Sequence, residues 1–498
     1  MMAAATLTAD EDECEAVVST HRTTFDWMSG QALEFDAAAM FQRLGVDVGQ
    51  RFVLGPDGSY DFQFNRCIRE LPDWGVRSDN GISGYCTDLM LLCRYLHEAR
   101  GGKTIWQIDG SDLRAYKRAR LESEDPDQQI KGVSWTRAVA ALEKWVRWSL
   151  AEGILTAEPF RYIDKTVLTP TGARTIRVNL DAEADVQPDP IRFVDHEDYL
   201  LWRDVGLLGF LPDGTPDPGW RGRNGVRNAL FADLLVCTGM RLGEASSLLV
   251  SELPPLAPGK GDVHVSGAIA KRRKARVVYM RRRVLRELHH YLAIERDELV
   301  QRRRMQGAYQ ETDSPLLVRR ATRQAVLVAG ARKAWAYSKL DMSKRQRLMS
   351  VDSHGRPAGP LWLWLGEGGQ PLQSSTWQSA FRRANERCAK FGIDFDVHPH
   401  TLRHTFAVHM LGLLLRQTIR AMGLREDRRF TIEQIKRMLI GNPMRKLQLL
   451  MGHTREETVY LYLDVLDEAQ EIVLAALAEW DEQIAVLDGI DLSSGVSR

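Results

Sequence analysis

The sequence predicts a mainly α-helical protein with a small antiparallel β-sheet, divided between at least two domains. The stretches 85–99 and 134–155 place apolar residues at the spacing of an amphipathic helix. By contrast, 262–280 has two β-like runs on either side of a basic turn, which predicts a hairpin. The chain has 498 residues, of which 44% are hydrophobic, so it can bury more than one core.

Composition excludes several classes of protein. No basic segment followed by an apolar one opens the sequence, so a secretory signal is not expected. Apolar runs such as 410–415 are too short to span a bilayer, and no membrane partner is predicted. The six cysteines are scattered without a CxxC pair. This distribution is typical of reduced thiols in a cytoplasmic protein, not of disulfides or a zinc site.

Charge is distributed unevenly, although the formal net charge of the whole chain is only +1. Residues 1–75 contain 13 acidic residues, five arginines and no lysine, a net charge of −8, so the remainder carries +9. A phosphate backbone is attracted to the second part and repelled by the first. We therefore expect nucleic acid to bind beyond this acidic region. A protein partner is the expected contact of residues 1–66, whose role the sequence leaves unknown.

The first part of the chain divides where its pattern changes. Residues 1–66 contain short amphipathic pieces interrupted by turn signals. Residues 67–165 predict a small domain of about four helices, one of which follows a Ser and Asp start signal at 109–121. The segment 166–190 gains Pro and Gly and loses the helical period, so it predicts a linker that carries a short hairpin.

A second domain is predicted over 191–488, followed by a flexible tail at 489–498. Its pattern is mainly helical, with the hairpin and a strand–turn–helix unit over 360–392. Residues 305–358 are polar, basic and weakly patterned, which predicts an insertion. The predicted helices of this domain cover 224–236, 241–250, 281–304, 401–423 and 466–487.

Two motifs supply groups that can hold a phosphate. In CTGMRLGEASSL, a Gly precedes a helix that carries Arg241 and Glu244; alone, this pair predicts only an i,i+3 ion pair on a surface. In HPHTLRHTFAVHM, His400, Arg403 and His404 add two imidazoles and a second guanidinium. A guanidinium fork matches phosphoryl oxygens in two places at once. Together the two motifs favour a phosphate site.

A metal site is the main alternative for the second motif, because His400 and His404 lie one helical turn apart. The motif holds no carboxylate, and the charge of the intervening Arg403 would oppose a cation. These features disfavour a metal, and no cofactor is predicted. A capped helix with solvent-facing histidines is the other interpretation of this motif.

A third motif, LLMGHTREETVYLYLDV, places a Gly-His pair ahead of two tyrosines, Tyr460 and Tyr462. Residues at i and i+2 of a helix cannot share a face. One tyrosine is therefore expected to be buried while the other projects into a site.

The segments TGMRLGE, AKRRKARVV, HPHTLRHTFA and LMGHTREETVYLY, in that order, resemble the catalytic domain of tyrosine recombinases, the phage integrase family. The helices at 67–165 resemble the core-binding domain that precedes it in that family. The resemblance implies an α+β catalytic domain behind a helical DNA-binding domain. It also implies an enzyme that cuts and rejoins DNA through a 3′-phosphotyrosyl intermediate, without metal or cofactor.

The resemblance assigns roles to individual residues. The lysine of the hairpin pattern K-x-x-K-x-R-x-V falls on Lys271, with Lys274 as the alternative. The family nucleophile lies nine positions after the His of the Gly-His pair, which selects Tyr462 over Tyr460. His404 corresponds to a supporting residue. The implied catalytic residues are Arg241, Lys271, His400, Arg403, His453 and Tyr462.

The gaps before His400 and before His453 are longer than in compact members of the family, which implies insertions near 305–358 and 411–445. The family further implies double-stranded DNA as the partner and four protomers on two DNA sites, in the cytoplasm at the nucleoid. An amphipathic stripe at 467–487 is typical of a helix that docks on a neighbouring protomer, although packing on its own domain is equally compatible with it.

Basic side chains of the helical domain are expected to hold the DNA backbone on one side, with the catalytic domain closing a clamp on the other. The candidates are Lys117, Arg118, Arg120, Lys131, Lys144 and Arg147.

Three alternatives remain open at the level of the sequence. A type IB topoisomerase or a hairpin-forming telomere resolvase uses a similar set of residues. A DNA-binding accessory protein with an inactive site would keep the fold without the chemistry. A metal-dependent hydrolase would use His400, His404 and His453 as ligands.

Overall fold

The computed structural model falls into two compact units, Met1–Asp189 and Pro190–Arg498. None of the helices that it describes is long and apolar enough to cross a bilayer. The residues that it describes are 19–22, 50–55, 59–76, 79–169, 172–183, 191–257, 261–310, 312, 314–423, 443–453, 459 and 462.

The first unit is built on four helices in its described part, with a short antiparallel pair of strands before them. A single 3₁₀ turn, Ile105–Gln107, lies between the second and third helices. The strands are β1 (Ser19–Arg22) and β2 (Arg51–Leu54), and the helices are α1 (Phe62–Glu70), α2 (Asp79–Ala99), α3 (Gly110–Leu121) and α4 (Gly132–Ala151).

Aspartates begin two of these helices, and the start signal at 109–121 predicts one of them. The Asp61 carboxylate accepts a hydrogen bond from the Phe64 amide at 2.9 Å, and Asp109 does the same for Ser111 at 2.7 Å. Helix α4 ends at Ala151, four residues before the predicted end, because Gly153 turns the backbone at φ +68°. The helices predicted at 85–99, 109–121 and 134–155 are thus confirmed.

The segment predicted as a linker, 166–190, is mostly part of the first unit. Its predicted hairpin is present but begins four residues earlier and has eight residues a side, β3 (Tyr162–Thr169) and β4 (Gly172–Asn179). Beyond the hairpin, the carbonyl of Asp181 accepts from the Trp135 indole at 2.8 Å, and its carboxylate pairs with Arg161 at 2.7 Å. These contacts anchor the chain to α4. The rest of the predicted linker, 184–190, lies outside the described residues.

The second unit opens with helices and then alternates short strands with helices. Helices α5 and α8 each continue into a π-helical turn, at Arg203–Leu208 and Leu292–Arg296. The helices are α5 (His196–Trp202), α6 (Gly225–Thr238), α7 (Leu242–Ser246), α8 (Arg282–Tyr291), α9 (Asp297–Met305), α10 (Met342–Gln346), α11 (Ser374–Lys390) and α12 (Pro399–Gly423). A further helical stretch covers 443–451, and the helix predicted at 466–487 lies outside the described residues.

The strands that the structure describes in this unit form two sheets. The predicted hairpin at 262–280 is confirmed as the antiparallel pair β5 (Asp262–Val265) and β6 (Arg276–Tyr279). A five-stranded sheet consists of β7 (Leu316–Ala321), β8 (Ala325–Val328), β9 (Trp335–Ala336), β10 (Leu348–Val351) and β11 (Pro357–Pro360). The strands have the order β11-β10-β7-β8-β9, and only the β10–β7 pair is parallel, so the sheet is mixed.

The segment 305–358, predicted as an insertion from its weak pattern, therefore contains four of these five strands. Their shortness, two to six residues, and the arginines among them hide the period-2 alternation in the sequence. The strand predicted just after residue 360 is reduced to single bridges, Leu249 with Trp362 and Leu365 with Pro371.

Stacked aromatic side chains fill the core beneath α6. The Phe231 ring lies flat on Trp377, with ring centroids 3.6 Å apart, and Trp364 meets both edge-on. The Trp364 indole also donates to the carbonyl of Ala245 at 2.9 Å, within α7. The core thereby fixes α7, the short helix that follows Arg241.

A buried ion pair joins the region around the five-stranded sheet to this part of the core. Arg345, in α10, donates to both carboxylate oxygens of Glu252, at 2.7 and 2.9 Å, and the two side chains are 0% and 3% exposed. Arg345 also donates to the carbonyl of Ser247, just after α7. The pair has its charges matched and its donors used, as a buried pair requires.

We expect Arg345→Ala to lower the free energy of unfolding by about 3–5 kcal/mol, because it leaves the Glu252 carboxylate buried without an opposite charge. Urea denaturation followed by circular dichroism measures the loss. The matched control is Arg283→Ala, which removes an exposed pair with Glu287 and should change stability little. Equal effects of the two substitutions would contradict a supporting role for the buried pair.

Candidate active site

Several segments distant in sequence meet in the second unit and bring together residues predicted from the motifs. Arg241 precedes α7, Lys271 lies in the turn between β5 and β6, and Arg403 lies in α12 with His400 and His404. The remaining two residues, His453 and Tyr462, lie after the 443–451 helix. Tyr460 is outside the described residues, so the choice between the two tyrosines stays a prediction.

A glycine turn sets the position of Arg241. Gly239 has φ +62°, and a Cβ at this position would come within 2.3 Å of the Phe406 ring, so only glycine fits. The carbonyl of Gly239 faces α12, where it accepts a hydrogen bond from Arg403. The Arg241 guanidinium is 26% exposed and lies 3.2 Å from the Glu244 carboxylate. Arg241 is thus held by Glu244, and the rest of its side chain is partly accessible.

Glu244 is not the surface residue that the i,i+3 spacing alone predicts. It is 1% exposed, and Arg276 of β6 donates to both its oxygens, at 2.9 and 2.6 Å. Burial acts to raise the pKa of the Glu244 carboxyl, but the hydrogen bonds and charge of Arg276, with those of Arg241, hold it below its usual value. Glu244 is therefore an anion that joins α7 to the lysine hairpin, the pair β5–β6 with Lys271 in its turn.

Arg403 is buried, at 2% exposure, and is oriented by backbone oxygens. One terminal nitrogen donates to the Gly239 carbonyl; the other donates to the Met451 carbonyl at 2.6 Å and to Nε2 of His453 at 3.3 Å. Burial and the neighbouring Arg241 lower the pKa of Arg403 to about 9, so its charge is kept at neutral pH. Three segments of the site thus meet at one guanidinium.

The hairpin also holds the segment that carries His453. Arg276 donates to the Leu450 carbonyl at 3.0 Å, and Lys274 donates to the His453 carbonyl at 3.1 Å. Between them, Gly452 has φ +66° and lies against the Arg276 side chain, where a Cβ would come within 2.9 Å. The Gly-His pair of the third motif is therefore a turn fitted against β6.

Tyr462 lies beside two histidines. Its hydroxyl is 3.1 Å from Nδ1 of His404, and its ring is stacked parallel to His453 with centroids 6.2 Å apart. The residue is 3% exposed. Burial raises the pKa of the Tyr462 phenol, while the charges of Arg403 and Arg241 act in the opposite direction. Both arginine charges thus favour the phenolate, but burial outweighs them and the pKa of the phenol stays above its usual value.

The imidazoles of the site are neutral at pH 7 in this state. Burial, together with the charge of Arg403, lowers the pKa of His453 to about 3. Burial and the adjacent His400 lower the pKa of His404 to about 4. His400 is more exposed; partial burial and the charges of Arg403, Arg241 and Lys271 lower its pKa. Because the charge of Lys271 contributes to the lowered pKa of His400, Lys271 acts electrostatically on the site.

The residues described by the structure contain no group of three or more His, Cys, Asp or Glu side chains arranged to hold a metal ion. The rings of His400 and His404 meet edge to face, with centroids 4.3 Å apart, and His404 is hydrogen-bonded to the Tyr462 hydroxyl.

Reasoning from the motifs missed one structural residue, Arg276. Its side chain is 5% exposed and contacts Glu244, Leu450 and Gly452. The signal was present in the sequence, since Arg276 is the Arg of the K-x-x-K-x-R-x-V pattern.

Comparison with known proteins gives two matching family models. The model of the phage integrase family matches residues 220–413, and the model of the phage integrase N-terminal SAM-like domain matches 66–153. Together they match more than half of the chain.

Relatives of the chain carry recombinase names. The tyrosine recombinase XerD of Shewanella oneidensis is 23% identical over 389 residues, which are 78% of this chain and 87% of that protein. The tyrosine recombinase XerC of Roseiflexus castenholzii is 22% identical over 408 residues, 82% of this chain and 90% of that protein.

Solved structures similar to this chain include XerH bound to a palindromic difH substrate, with 14% identity, a TM-score of 0.43 and coverage of 86% of both chains. Another is a lambda integrase tetramer bound to a Holliday junction, with 14% identity, a TM-score of 0.41 and coverage of 80% of this chain and 75% of that chain.

The chain belongs to the phage integrase family of tyrosine recombinases, enzymes that cleave and rejoin DNA strands. It is a site-specific DNA recombinase.

The lowered histidine pKa values predict a loss of stability in mild acid. The pKa of His404 is about 4 and that of His453 about 3 in the folded protein, against about 6.5 in an unfolded chain. Between these values the unfolded chain binds more protons, so the free energy of unfolding is complete above pH 6.5 and falls as the pH drops toward 4. Melting temperatures between pH 7.5 and pH 4.5 measure the effect.

The variant His404→Gln should lose less stability over this range, because one of the two groups no longer titrates. The control His354→Gln changes a histidine in an exposed turn and should follow the wild type. A His404→Gln curve parallel to that of the wild type would show that His404 is not kept neutral by the fold.

Proposed function

We propose that this recombinase cuts DNA with Tyr462 as nucleophile, and that Arg241, Lys271, His400, Arg403 and His453 assist the reaction. The observation that carries the proposal is the position of the Tyr462 hydroxyl. It is hydrogen-bonded to His404, and the charges of Arg403 and Arg241 act to lower its pKa. A phenol with a hydrogen-bonded base and charges that favour the phenolate can serve as a nucleophile, which supports the proposal.

In the proposed step, the phenolic oxygen of Tyr462 attacks phosphorus in line with the bond to the 5′ oxygen. A bond from phosphorus to the tyrosine forms, the bond to the 5′ oxygen breaks, and a 5′ hydroxyl leaves. One phosphodiester replaces another, so the energy of the backbone bond is kept for rejoining. No metal or cofactor enters the step.

The proton of the Tyr462 hydroxyl needs an acceptor as the bond to phosphorus forms. His404 supports this role through its Nδ1, 3.1 Å from the hydroxyl oxygen, and through a lowered pKa that keeps the ring neutral. The charges of Arg403 and Arg241 favour the phenolate in the same step.

We assign to the guanidinium groups of Arg241 and Arg403 the stabilisation of the negative charge that grows on the non-bridging oxygens of the phosphate. Arg403 is oriented before DNA arrives, because its nitrogens donate to the carbonyls of Gly239 and Met451. Such preorganised donors contribute more than mobile ones, since they need no reorientation during the reaction. Nδ1 of His453, which has no hydrogen-bond partner among the described residues, and the more exposed His400 supply further donors.

Lys271 is assigned as the general acid that protonates the departing 5′ oxygen. It lies at the start of the 3₁₀ turn Lys271–Arg273, is exposed, and its charge reaches His400. Lys274 is less suited to the role, because its ammonium group is bound to the carbonyl of His453.

The proposed partner is double-stranded DNA, bound in part by the helical domain, residues 67–165. Of its predicted basic contacts, Lys117 pairs with Glu183 at 2.7 Å, and Lys144 donates to the Trp74 carbonyl at 2.5 Å. Arg118 and Arg147 are exposed and therefore accessible to phosphates, and Arg147 lies at the longer distance of 3.6 Å from its partner Glu143. We also propose that four protomers assemble on two DNA sites, which the amphipathic stripe at 467–487 supports. A protein partner for residues 1–66 is proposed because this segment is acidic and would repel DNA.

We expect Tyr462→Phe to bind DNA but form no covalent adduct, because the attacking oxygen is gone. The measurement uses a library of duplexes of random sequence that carry a nick at one fixed position. The reaction is run in excess chelator, and denaturing electrophoresis detects the protein trapped on DNA cut next to the nick. Sequencing the DNA trapped by the wild type also identifies its target.

The matched control is Tyr460→Phe, which should still trap DNA. An adduct formed by the Tyr462→Phe protein would contradict the assignment of the nucleophile. Loss of trapping in excess chelator would point instead to a metal-dependent reaction.

We expect Arg403→Lys to lower the rate of adduct formation by about 10²- to 10³-fold with little loss of DNA binding, since an ammonium cannot replace the oriented fork. Single-turnover trapping gives the rate and fluorescence anisotropy the affinity. A parallel loss of affinity would show that Arg403 mainly positions DNA. The control Arg382→Lys changes an exposed arginine of α11 and should leave both quantities unchanged.

A further inference from the structure

Residues of the five-stranded sheet bind β5, the strand that leads into the lysine turn, Lys271–Arg273. At the start of β5, the guanidinium of Arg323 donates to the carboxylate of Asp262 at 2.9 Å and also to its carbonyl. Just past the end of β5, the hydroxyl of Ser266 donates to the carbonyl of Tyr337 at 2.9 Å. Arg323 lies in the turn between β7 and β8, and Tyr337 follows β9 directly. The sheet therefore holds both ends of β5.

Ser266 is also hydrogen-bonded to the residues that lead to Lys271. Its hydroxyl oxygen accepts from the amide of Ala268 at 3.2 Å, and its carbonyl accepts from the amide of Ala270 at 3.0 Å. The next residue begins the 3₁₀ turn Lys271–Arg273. Gly267 closes the turn from the other side, where a Cβ would come within 2.7 Å of the Arg273 carbonyl. A shift of Ser266 would therefore shift the turn.

Tyr337 is itself held at several points. Its hydroxyl donates to the Thr322 carbonyl at 2.8 Å. The hydroxyls of Tyr337 and Ser251 are 2.6 Å apart. Because the phenol has already given its one hydrogen to Thr322, the Ser251 hydroxyl is the donor of this second hydrogen bond. The Arg345 guanidinium lies over its ring at 5.3 Å. Since Ser251 follows α7 closely, Tyr337 connects the lysine turn to the helix that begins beside Arg241.

The lysine hairpin needs such support. It consists of two strands of four residues, β5 and β6, and a two-stranded sheet of this size is marginal by itself. A general acid must come within hydrogen-bond distance of the oxygen that it protonates, and a displacement of about 1 Å can cost about 10²-fold in rate.

We propose that Ser266 and Tyr337 are positioning residues for Lys271, and that the sheet within and beside 305–358 is the support that sets the place of the general acid. The proposal rests on the proposed function, in which Lys271 protonates the leaving 5′ oxygen. It gives a role to a segment that the family motifs do not include.

The test replaces the leaving oxygen by sulfur. In a 5′-bridging phosphorothiolate, the tyrosine forms its bond to phosphorus while the phosphorus–sulfur bond breaks, and the electron pair leaves on sulfur. A thiolate needs no proton to leave, because thiols are far more acidic than alcohols. The probe is a nicked duplex carrying the sequence recovered by trapping on the wild-type protein, made once with oxygen and once with sulfur.

We expect Ser266→Ala to cleave the oxygen substrate about 10- to 100-fold more slowly than wild type and to cleave the sulfur substrate at close to the wild-type rate. Ser266→Thr keeps the hydroxyl and should restore the oxygen rate. Tyr337→Phe, which loses the contacts to Thr322 and Ser251 but keeps its ring and carbonyl, should show the same selective loss. Melting temperatures establish that each variant is folded.

The matched control is Ser350→Ala, which removes a hydroxyl that donates to the Gly359 carbonyl at 3.0 Å in the same sheet, between β10 and β11. It should leave both rates unchanged. Equal slowing of both substrates by Ser266→Ala, or no slowing, would overturn the positioning role. Lys271→Ala separates this outcome from failure of the proposed function: if sulfur does not restore its rate, Lys271 is not the general acid.

Discussion

The site depends on one buried carboxylate, that of Glu244. Arg241, Arg276 and Arg403 bring three guanidinium groups into a small space, and their mutual repulsion would separate α7, the hairpin and α12. Glu244 opposes this by accepting two hydrogen bonds from Arg276 and lying beside Arg241. One anion against three cations leaves an excess of two positive charges, one of which a phosphodiester would neutralise on binding.

Rigidity in the site comes from backbone carbonyls as much as from side chains. Gly239, Met451 and Leu450 each present a carbonyl to an arginine, so the turns around them fix the guanidinium planes. Those turns need glycine at 239 and 452, because each backbone is left-handed and packed against a neighbouring side chain. The glycines of the first and third motifs are therefore as necessary to the geometry as the charged residues beside them.

Most of this arrangement could be predicted from the sequence, but for unequal reasons. The long helices α2, α4 and α11 have a clear apolar period, and the motifs identify charged residues that the structure brings together at Arg403. The five-stranded sheet could not be predicted, because strands of two to six residues with arginines among them show no alternation. Burial of Glu244 was also hidden, since its partner Arg276 lies 32 positions away.

The β5–β6 hairpin has a consequence for how the parts of the site are linked. Arg276 of β6 and Lys274 of the turn donate to the carbonyls of Leu450 and His453, so the hairpin carries Lys271 and also restrains the segment with the histidine. A displacement of the hairpin would therefore displace Lys271 and His453 together. In the proposed reaction, the general acid and one donor to the phosphate thus take their positions from the same piece of local structure.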